Sequence, residues 1–286
     1  MAQRTISFGE HPAVPVIGQG TWYMGENPAL RTQESAALRA GIDLGLTAID
    51  TAEMYADGGA EEVVGEAIRG QRERVVLVSK VYPWNAGGRK IASACEASLR
   101  RLKTDYLDLY LLHWRGDYAL QETVAGMEAL VAQGKIRRWG VSNLDYADMQ
   151  ELWQVDGGEQ CATDQVLYHL ASRGIEHDLL PWCQQQQQRL PVMAYCPLAQ
   201  AGRLRNGLLN HTVVKNIAQA RGVTAAQVLL AWVISHQGVL AIPKASSIEH
   251  VEQNAAALDI ELTAEERALL EKAYPAPGRK TPLDMV

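Results

Sequence analysis

The chain has 286 residues, 47% of them apolar and 21% charged, which is the composition of a globular protein with room for one large domain or two smaller ones. Its net charge of −6 and its scattered Lys and Arg residues argue against a nucleic-acid-binding surface, which needs clustered positive charge. Because neither a secretory signal nor an apolar run of roughly 18 residues is visible, we expect a cytoplasmic protein that does not bind membranes.

Short apolar, β-branched runs alternate with longer helical patterns along the chain, and no Ser/Gly-rich linker divides it. The predicted strands, in chain order, cover residues 14–22, 47–50, 75–81, 106–114, 136–143, 162–170, 191–198 and 239–245. The helices predicted between them cover residues 32–44, 60–69, 89–102, 120–133, 145–154, 177–188 and 224–236. Ahead of the first strand, residues 4–8 are expected to pair with part of 14–17 as a hairpin. The glutamine tract 184–188 is predicted to close a helix before Arg189.

The near-continuous apolar character of the strands indicates burial on both faces, as in parallel sheets covered by helices. Eight strand–helix alternations in about 250 residues fit a (β/α)8 TIM barrel better than the competing doubly wound open sheet. We therefore predict an α/β fold with one (β/α)8 barrel domain over residues 1–286 and a short N-terminal β-hairpin.

Three successive strands end in side chains that can carry chemistry. Asp50 ends the strand at 47–50, Lys80 follows it by 30 residues and His113 follows Lys80 by 33, close to one strand–helix repeat each. Catalytic groups of such barrels lie at the carboxyl ends of the strands, and Tyr55 in the loop after Asp50 can reach the same place. We expect these four side chains to meet at one rim of the barrel.

This set suits protonation of an oxygen while a hydride reaches the adjacent carbon. The phenol of tyrosine ordinarily has a pKa near 10, so Lys80 is expected to lower the pKa of Tyr55 and make it a usable proton donor. His113 would orient a carbonyl by hydrogen bonding. A nucleophilic hydrolase is disfavoured, because no Ser or Cys lies in a motif that couples it to a base.

The motifs around these residues resemble those of the aldo-keto reductase family over nearly the whole chain. The stretch GLTAIDTAEMYADGGAEEVVGEAI (45–68) is similar to the family's first signature, with Asp50 and Tyr55 at catalytic positions. VVLVSKV supplies the catalytic Lys80, and YLDLYLLHW supplies the catalytic His113. Among bacterial branches the resemblance is strongest to small reductases of methylglyoxal and related 2-oxoaldehydes. It implies NADPH-dependent reduction of small aldehydes and ketones, with Tyr55 as the proton donor.

The resemblance also implies where NADP(H) would bind. The stretch GQGTWY has Tyr23 in place of the third glycine of a dinucleotide fingerprint, so the cofactor is expected across the barrel rim without a Rossmann domain. The implied cofactor-binding residues are Ser142, Asn143 and Gln165 for the nicotinamide carboxamide, Tyr195 for stacking on its ring, the loop after Leu198 for the pyrophosphate, and Lys244 and Asn254 at the adenosine end. Arg203 or Arg205 would help to hold the pyrophosphate, or both are basic residues of a surface loop.

One motif departs from the family pattern at the adenosine end. In IPKASSIEHVEQN, Ala245 replaces the usual serine and His250 stands where many members have an arginine. These positions ordinarily help to hold the 2′-phosphate, and histidine is only partly charged near neutral pH whereas arginine is always charged. We expect a preference for NADPH through Lys244 that is weaker than a fully equipped site would give.

Aromatic residues indicate the substrate end of the site. Trp22, Trp84 and Trp114 lie at or just past strand ends, and together with His113 they predict a compact pocket for a small carbonyl compound. The other tryptophans lie within strands or helices and are expected to pack in the interior: Trp139, Trp153, Trp182 and Trp232. We expect no metal, because His169 and His177 lack a third ligand at a suitable spacing.

Two other function classes remain open on the sequence alone. One is an NADP(H)-binding regulatory subunit with low turnover, and the other is a Schiff-base lyase that uses Lys80. Four cysteines far apart, none in a CxxC pair, indicate reduced thiols: Cys95, Cys161, Cys183 and Cys196. We expect a monomer or weak homo-oligomer whose partner is a small carbonyl substrate, without nucleic acid.

Overall fold

A computed structural model describes residues 4–9, 13–186, 190–200 and 203–286. Its strands are β1 (Thr5–Ile6), β2 (Val14–Pro15), β3 (Gln19–Gly20), β4 (Ala48–Asp50), β5 (Val76–Val81), β6 (Leu107–Leu112), β7 (Ile136–Ser142), β8 (Asp164–Leu167), β9 (Val192–Tyr195) and β10 (Val239–Ala241). Its α-helices are α1 (Arg31–Asp43), α2 (Gly59–Ala67), α3 (Lys90–Leu102), α4 (Leu120–Ala132), α5 (Tyr146–Leu152), α6 (Leu179–Gln185), α7 (Arg203–Asn210), α8 (Thr212–Arg221), α9 (Ala225–Val233), α10 (Ile248–Ala256) and α11 (Ala264–Ala273).

The strands β3 to β10 form one sheet in chain order, and every neighbouring pair is parallel. The sheet closes on itself, because the Gly18 N–H donates to the Ala241 carbonyl at 2.8 Å and the Ala241 N–H donates to Val16 at 2.9 Å. The fold is therefore a (β/α)8 barrel. The antiparallel pair β1–β2 is a separate two-stranded sheet with Ile6 opposite Val14, as predicted.

The closing seam depends on a residue without a side chain. Gly20 forms a parallel bridge with Lys244, and a Cβ on Gly20 would lie 2.6 Å from the carbonyl oxygen of Ile242. Such a contact is shorter than van der Waals packing allows, so any larger residue would push β3 away from the end of β10. The seam therefore holds Lys244 beside β3, two residues before Trp22.

The barrel wall is apolar on both faces where the sequence predicted it. All six residues of β5 and all six of β6 are buried, including Lys80 and Asp108. Helix α3 covers the outside with an apolar face spaced by three or four residues, which includes Ile91, Cys95 and Leu102. The polar side chains inside this wall must therefore find partners within it.

The predicted elements agree with the structure except in the first strand and in the last third. The predicted strand 14–22 is two separate strands, because β2 pairs with β1 whereas β3 belongs to the barrel. The helices α7, α8, α10 and α11 were not predicted. Arg189 and part of the glutamine tract lie outside the described residues. Within the described ranges, no helix is both long and apolar enough to cross a membrane.

Candidate active site

The side chains of Asp50, Tyr55 and Lys80 meet in one hydrogen-bonded group. The Lys80 Nζ donates to Asp50 Oδ2 at 2.8 Å, to the Tyr55 hydroxyl at 2.9 Å and to the Thr51 carbonyl at 3.0 Å. Lys80 is fully buried and Asp50 is 2% exposed. The three donor hydrogens of the ammonium are thus all used, and the ion pair is held in one geometry.

Parallel pairing and a tight turn bring these residues together. Asp50 is the last residue of β4 and pairs with Val78 on β5. Lys80 lies two positions after Val78 on the same strand. Tyr55 starts a 3-10 turn, Tyr55–Gly58, in which Ala56 and Asp57 have φ of 51° and 50°. This left-handed backbone costs about 1 kcal/mol or more for each non-glycine residue. The strained turn aims the Tyr55 ring back towards Lys80.

Burial dominates the acid–base behaviour of this group. It raises the pKa of Tyr55 well above 10, and the negative charge of Asp50 raises that pKa further. Burial also lowers the pKa of Lys80, whereas the charge and hydrogen bond of Asp50 act to raise it. The sequence-based expectation that the pKa of Tyr55 lies below its ordinary value is therefore wrong for this structure, because burial and Asp50 outweigh the effect of Lys80. The positive charge of Lys80 is already paired with Asp50, which leaves burial as the largest effect.

His113 lies beside Tyr55 as a neutral imidazole. The two rings meet edge to face with their centroids 5.8 Å apart. Burial lowers the pKa of His113 to about 2, and the positive charge of Lys80 acts in the same direction. Its Nδ1 is buried without a hydrogen-bond partner among the described residues. Because His113 lines the cavity, the other nitrogen of this neutral imidazole can hydrogen-bond a ligand oxygen without being charged.

The residues predicted to hold the nicotinamide carboxamide form a second polar group that reaches the first. The Gln165 Nε2 donates to Asp50 Oδ1 at 2.7 Å, so both carboxylate oxygens of Asp50 are occupied. The Ser142 Oγ donates to the Gln165 carbonyl at 2.8 Å, and the Tyr195 hydroxyl donates to Asn143 Oδ1 at 2.8 Å. The direct bond between Gln165 and Asp50 was not predicted from the sequence.

A cavity of about 380 Å³ opens at this end of the barrel. That volume falls within the range of pockets for small molecules and cofactors. Its wall contains most of the residues predicted from the sequence, namely Asp50, Tyr55, His113, Ser142, Asn143, Gln165, Tyr195, Leu198, Lys244, Trp22 and Trp114. The barrel thus brings the predicted catalytic, cofactor and substrate residues to one site.

Three predicted site residues lie outside the cavity wall, and the first of them, Lys80, is fully buried behind Asp50 and Tyr55. The side chain of Trp84 is 55% exposed, stacks on Tyr82 at 4.3 Å and meets Trp114 edge to face at 5.7 Å. It therefore supports Trp114 from the rim, whereas a wall position was expected. Asn254 is buried on α10. Arg205 lines the cavity, whereas the side chain of Arg203 lies outside the described part of the structure.

The cavity wall also contains residues that the sequence analysis missed. Tyr23 stacks on Trp22 at 4.7 Å, and its hydroxyl accepts a hydrogen bond from the Gln200 side chain at 3.0 Å. The position of Tyr23 directly after Trp22 could have indicated it. Met285 and Val286 line the cavity as well. No periodicity or motif pointed to them, since they follow the last helix.

One of the two histidines that could suggest a metal, His169, has a hydrogen-bond partner in its own loop. The Nδ1 of His169 accepts a hydrogen bond from the Ala171 N–H at 3.2 Å. Burial lowers the pKa of His169 to about 4, although the charge of Asp284 opposes this effect. In the described ranges, no group of three or more His, Cys, Asp or Glu side chains is arranged to hold a metal ion. All four cysteines are free thiols.

Comparisons with known proteins give one consistent answer. The model of the aldo/keto reductase family matches residues 16–275. Methylglyoxal reductase YeaE of Escherichia coli is 73% identical over 286 residues, which is the full length of both chains. A crystal structure of an aldo/keto reductase from Klebsiella pneumoniae in complex with NADP and acetate has a TM-score of 0.97 and 73% identity, with full coverage of both chains. A second structure from that organism, in complex with NADPH, has the same TM-score, identity and coverage.

Proposed function

The chain belongs to the aldo/keto reductase family, and on that premise we propose that it reduces methylglyoxal and similar small aldehydes and ketones to alcohols with NADPH. The observation that carries this proposal is the bonded group of Asp50, Lys80 and Tyr55 at the base of the cavity. A full-length relative named for methylglyoxal reduction and similar structures that contain NADP or NADPH support it.

The residues of the cavity fit a nicotinamide cofactor. Ser142, Asn143 and Gln165 present hydroxyl and amide groups that would hold the carboxamide, and Tyr195 presents a ring on which the nicotinamide would stack. Lys244, whose Nζ donates to Ser246 Oγ at 2.6 Å, would hold the 2′-phosphate. When bound, the nicotinamide supplies a hydride to the carbonyl carbon.

We assign the proton donor to Tyr55. Lys80 donates its hydrogen bond to the Tyr55 oxygen, so the phenol's own hydrogen remains free to point into the cavity. As the substrate oxygen gains negative charge, it takes this proton, and the phenolate that remains is stabilised by the adjacent ammonium of Lys80. The high resting pKa of Tyr55 keeps the proton in place until that charge develops.

His113 and the aromatic wall set the orientation of the substrate. The neutral His113 can donate one hydrogen bond to the carbonyl oxygen without competing for the proton of Tyr55. Trp22 lies beside Tyr55 and Trp114 lies beside His113, and both rings form part of the cavity wall. A narrow cavity with aromatic walls favours dicarbonyls of two to four carbons and small aromatic aldehydes over bulky carbonyls.

The test is consumption of NADPH followed at 340 nm with methylglyoxal and a panel of other carbonyls, each repeated with NADH. We expect turnover with small 2-oxoaldehydes, a preference for NADPH, and poor activity with steroids or aldohexoses. A wild-type protein that binds NADPH but oxidises it with none of these compounds would favour the regulatory subunit. Borohydride trapping of a substrate on Lys80 would favour the lyase and end the reductase proposal.

We also propose that the protein works as a monomer or weak homo-oligomer in the cytoplasm. The support is the set of four free thiols, three of them buried, which suits a reducing compartment. Sedimentation velocity over a range of protein concentrations measures the association. A single tetrameric species at low micromolar concentration would contradict this part.

A further inference from the structure

The last residues of the sequence cross the top of the barrel without forming a helix or strand. This strap (residues 275–286) follows α11 and passes over the loops after β7 and β8. Those loops adjoin Ser142, Asn143 and Gln165, the residues proposed to hold the nicotinamide. The strap therefore rests on the loops that surround this end of the cavity, and its own end reaches the cavity.

Side-chain contacts hold the strap at successive points. The Arg173 Nη1 donates to the Tyr274 carbonyl at 2.7 Å where the strap begins. Lys280 lies between two carboxylates, because its Nζ donates to Asp178 at 2.8 Å and also to Asp145. Farther along, Asp284 accepts a hydrogen bond from the Ser172 hydroxyl. These contacts fasten the strap to the loops by charged groups, with Leu283 as its apolar contact with the core.

The carboxylates that hold Lys280 are themselves fixed. Asp145 caps α5, where it accepts the Tyr146 N–H at 2.8 Å, and Asp178 caps α6, where it accepts the Leu179 N–H at 2.7 Å. Although burial acts to lower it, the hydrogen bonds to Asp145 and Asp178 raise the pKa of Lys280. The side chain of Lys280 is still 37% exposed, so salt can screen this contact.

Beyond these contacts, the strap ends inside the site. Met285 and Val286 line the cavity together with Tyr195 and Asn143. The backbone of Val286 is close enough to the Tyr195 phenol, which donates to Asn143, to act on its pKa, although burial is the main cause of the raised value. Both side chains of the strap's end remain about half exposed, so they border the cavity without being part of the core.

We propose that the strap is a latch over the nicotinamide end of the cavity, with Lys280 and Asp284 as positioning residues that control cofactor exchange. Closed, it holds Met285 and Val286 against Tyr195. Opening requires release of the contacts of Lys280 and Asp284 and of the small apolar contact of Leu283. An element held by a few partly exposed contacts opens far more often than the barrel unfolds. This inference rests on the proposed function for the identity of the cofactor.

The test is the rate at which NADPH leaves the protein, measured by stopped-flow fluorescence while excess NADP displaces it. A Lys280→Gln variant is expected to release NADPH about fivefold faster than the wild type at low salt, and a chain ended after Pro282 about tenfold faster. Lys280→Arg keeps the charge and should behave as the wild type. The matched control is Lys215→Gln, because Lys215 is an exposed lysine on α8, away from the strap.

Salt gives a readout that loss of structure would not produce. From low salt to 1 M, screening should speed NADPH release more in the wild type and in Lys215→Gln than in Lys280→Gln, which has no charge left to screen. Salt also weakens contacts to the cofactor phosphates, and this effect is common to all the chains. Thermal unfolding is measured alongside, and Asp284→Ala replaces Lys280→Gln if the latter unfolds early.

Equal release rates in the wild type, Lys280→Gln and the shortened chain would overturn the latch. That result is separate from failure of the reductase proposal, in which the wild type binds NADPH and oxidises it with no carbonyl. A strap-dependent release rate in a protein without turnover would keep the latch and remove the reductase.

Discussion

Two lysines at opposite ends of the cavity show how differently one side chain can be used. The ammonium of Lys80 is fully buried, and its three hydrogen bonds go to Asp50, Tyr55 and Thr51. The ammonium of Lys244 is at the surface, and its one hydrogen bond in the described structure goes to Ser246. On the proposed function, the catalytic end is complete before any ligand arrives, whereas the adenosine end would be completed by the phosphate of the cofactor. Preorganisation at the Lys80 end would serve the chemical step. The Lys244 end would contribute affinity for the cofactor and selectivity between NADPH and NADH.

The largest effect is expected at the catalytic end, when the hydroxyl group of Tyr55 is removed. Tyr55→Phe should lower kcat by about a hundredfold or more, since a general acid typically contributes about 10² to 10⁴ in rate. The dissociation constant of NADPH, measured by fluorescence quenching, should stay within about twofold. Retention of most of the wild-type turnover with an aldehyde would show that another group donates the proton.

Lys80→Met tests whether the buried end is also a structural unit. Removal of one partner from a buried ion pair leaves the Asp50 carboxylate uncompensated, which destabilises a protein by about 3 to 5 kcal/mol. We expect a loss of that size in urea unfolding, together with a kcat at least about a hundredfold lower. The double variant Lys80→Met with Asp50→Asn should recover part of the stability and none of the activity. Unchanged stability in the single variant would contradict the description of this pair.

The burial of His113 predicts how the stability of the protein depends on pH. An unfolded imidazole has a pKa near 6.5, whereas the pKa of His113 is lowered to about 2 in the folded protein. Between these values the unfolded chain binds a proton that the folded chain does not, so the free energy of unfolding falls as the pH falls below about 6.5. From pH 7 to pH 5, the wild type should lose about 2 kcal/mol more than His113→Gln. Parallel stability curves for the two proteins would show that the imidazole is more accessible than described.

At the other end, Lys244→Met is the counterpart of Lys80→Met. An exposed lysine in contact with a phosphate contributes about 1 to 2 kcal/mol, so we expect the dissociation constant of NADPH to rise about tenfold. That of NADH, which lacks the 2′-phosphate, should change little, and the stability of the protein should be nearly that of the wild type. A preference for NADH in the wild type would overturn the role given to Lys244.

The smallest effect is expected at His250. This residue is exposed in the first turn of α10, where its backbone N–H is held by Ser247. Its replacement by alanine should raise the dissociation constant of NADPH by no more than about threefold, since a flexible surface group gains little from one contact. The measurement is the dissociation constant of NADPH and of NADH for His250→Ala and for the wild type. A tenfold loss confined to NADPH would make His250 as important as Lys244.

The catalytic end was predictable because its residues follow a repeat that the fold imposes. Asp50 ends β4, Lys80 is the last residue but one of β5 and His113 follows β6, and parallel strands bring such positions to one rim. The pKa of Tyr55 was not predictable, since it depends on how far burial and Asp50 outweigh Lys80 in three dimensions. The position of Val286 beside Tyr195 was equally hidden, because side-chain contacts with distant loops place it there.

The exposed aromatic rim shows the same limit. The sequence correctly associates Trp84 with Trp114, since both follow barrel strands, and the two rings do meet. It does not show that Tyr82 stacks on Trp84 and draws it to the outside of the cavity. The direction of a loop side chain is set by its neighbours in space, for which a single sequence holds no periodic signal.

The seam at Gly20 and Lys244 also bears on how the protein is made. The two strands that close the barrel come from opposite ends of the sequence, so closure joins residues separated by nearly the whole chain. A nascent chain still lacking β10 presents β3 and β9 as unpaired strand edges, which are prone to associate with other chains. Contacts of such long range form slowly. The cavity, which has wall residues on both sides of the seam, is therefore among the last features of the molecule to be assembled during synthesis.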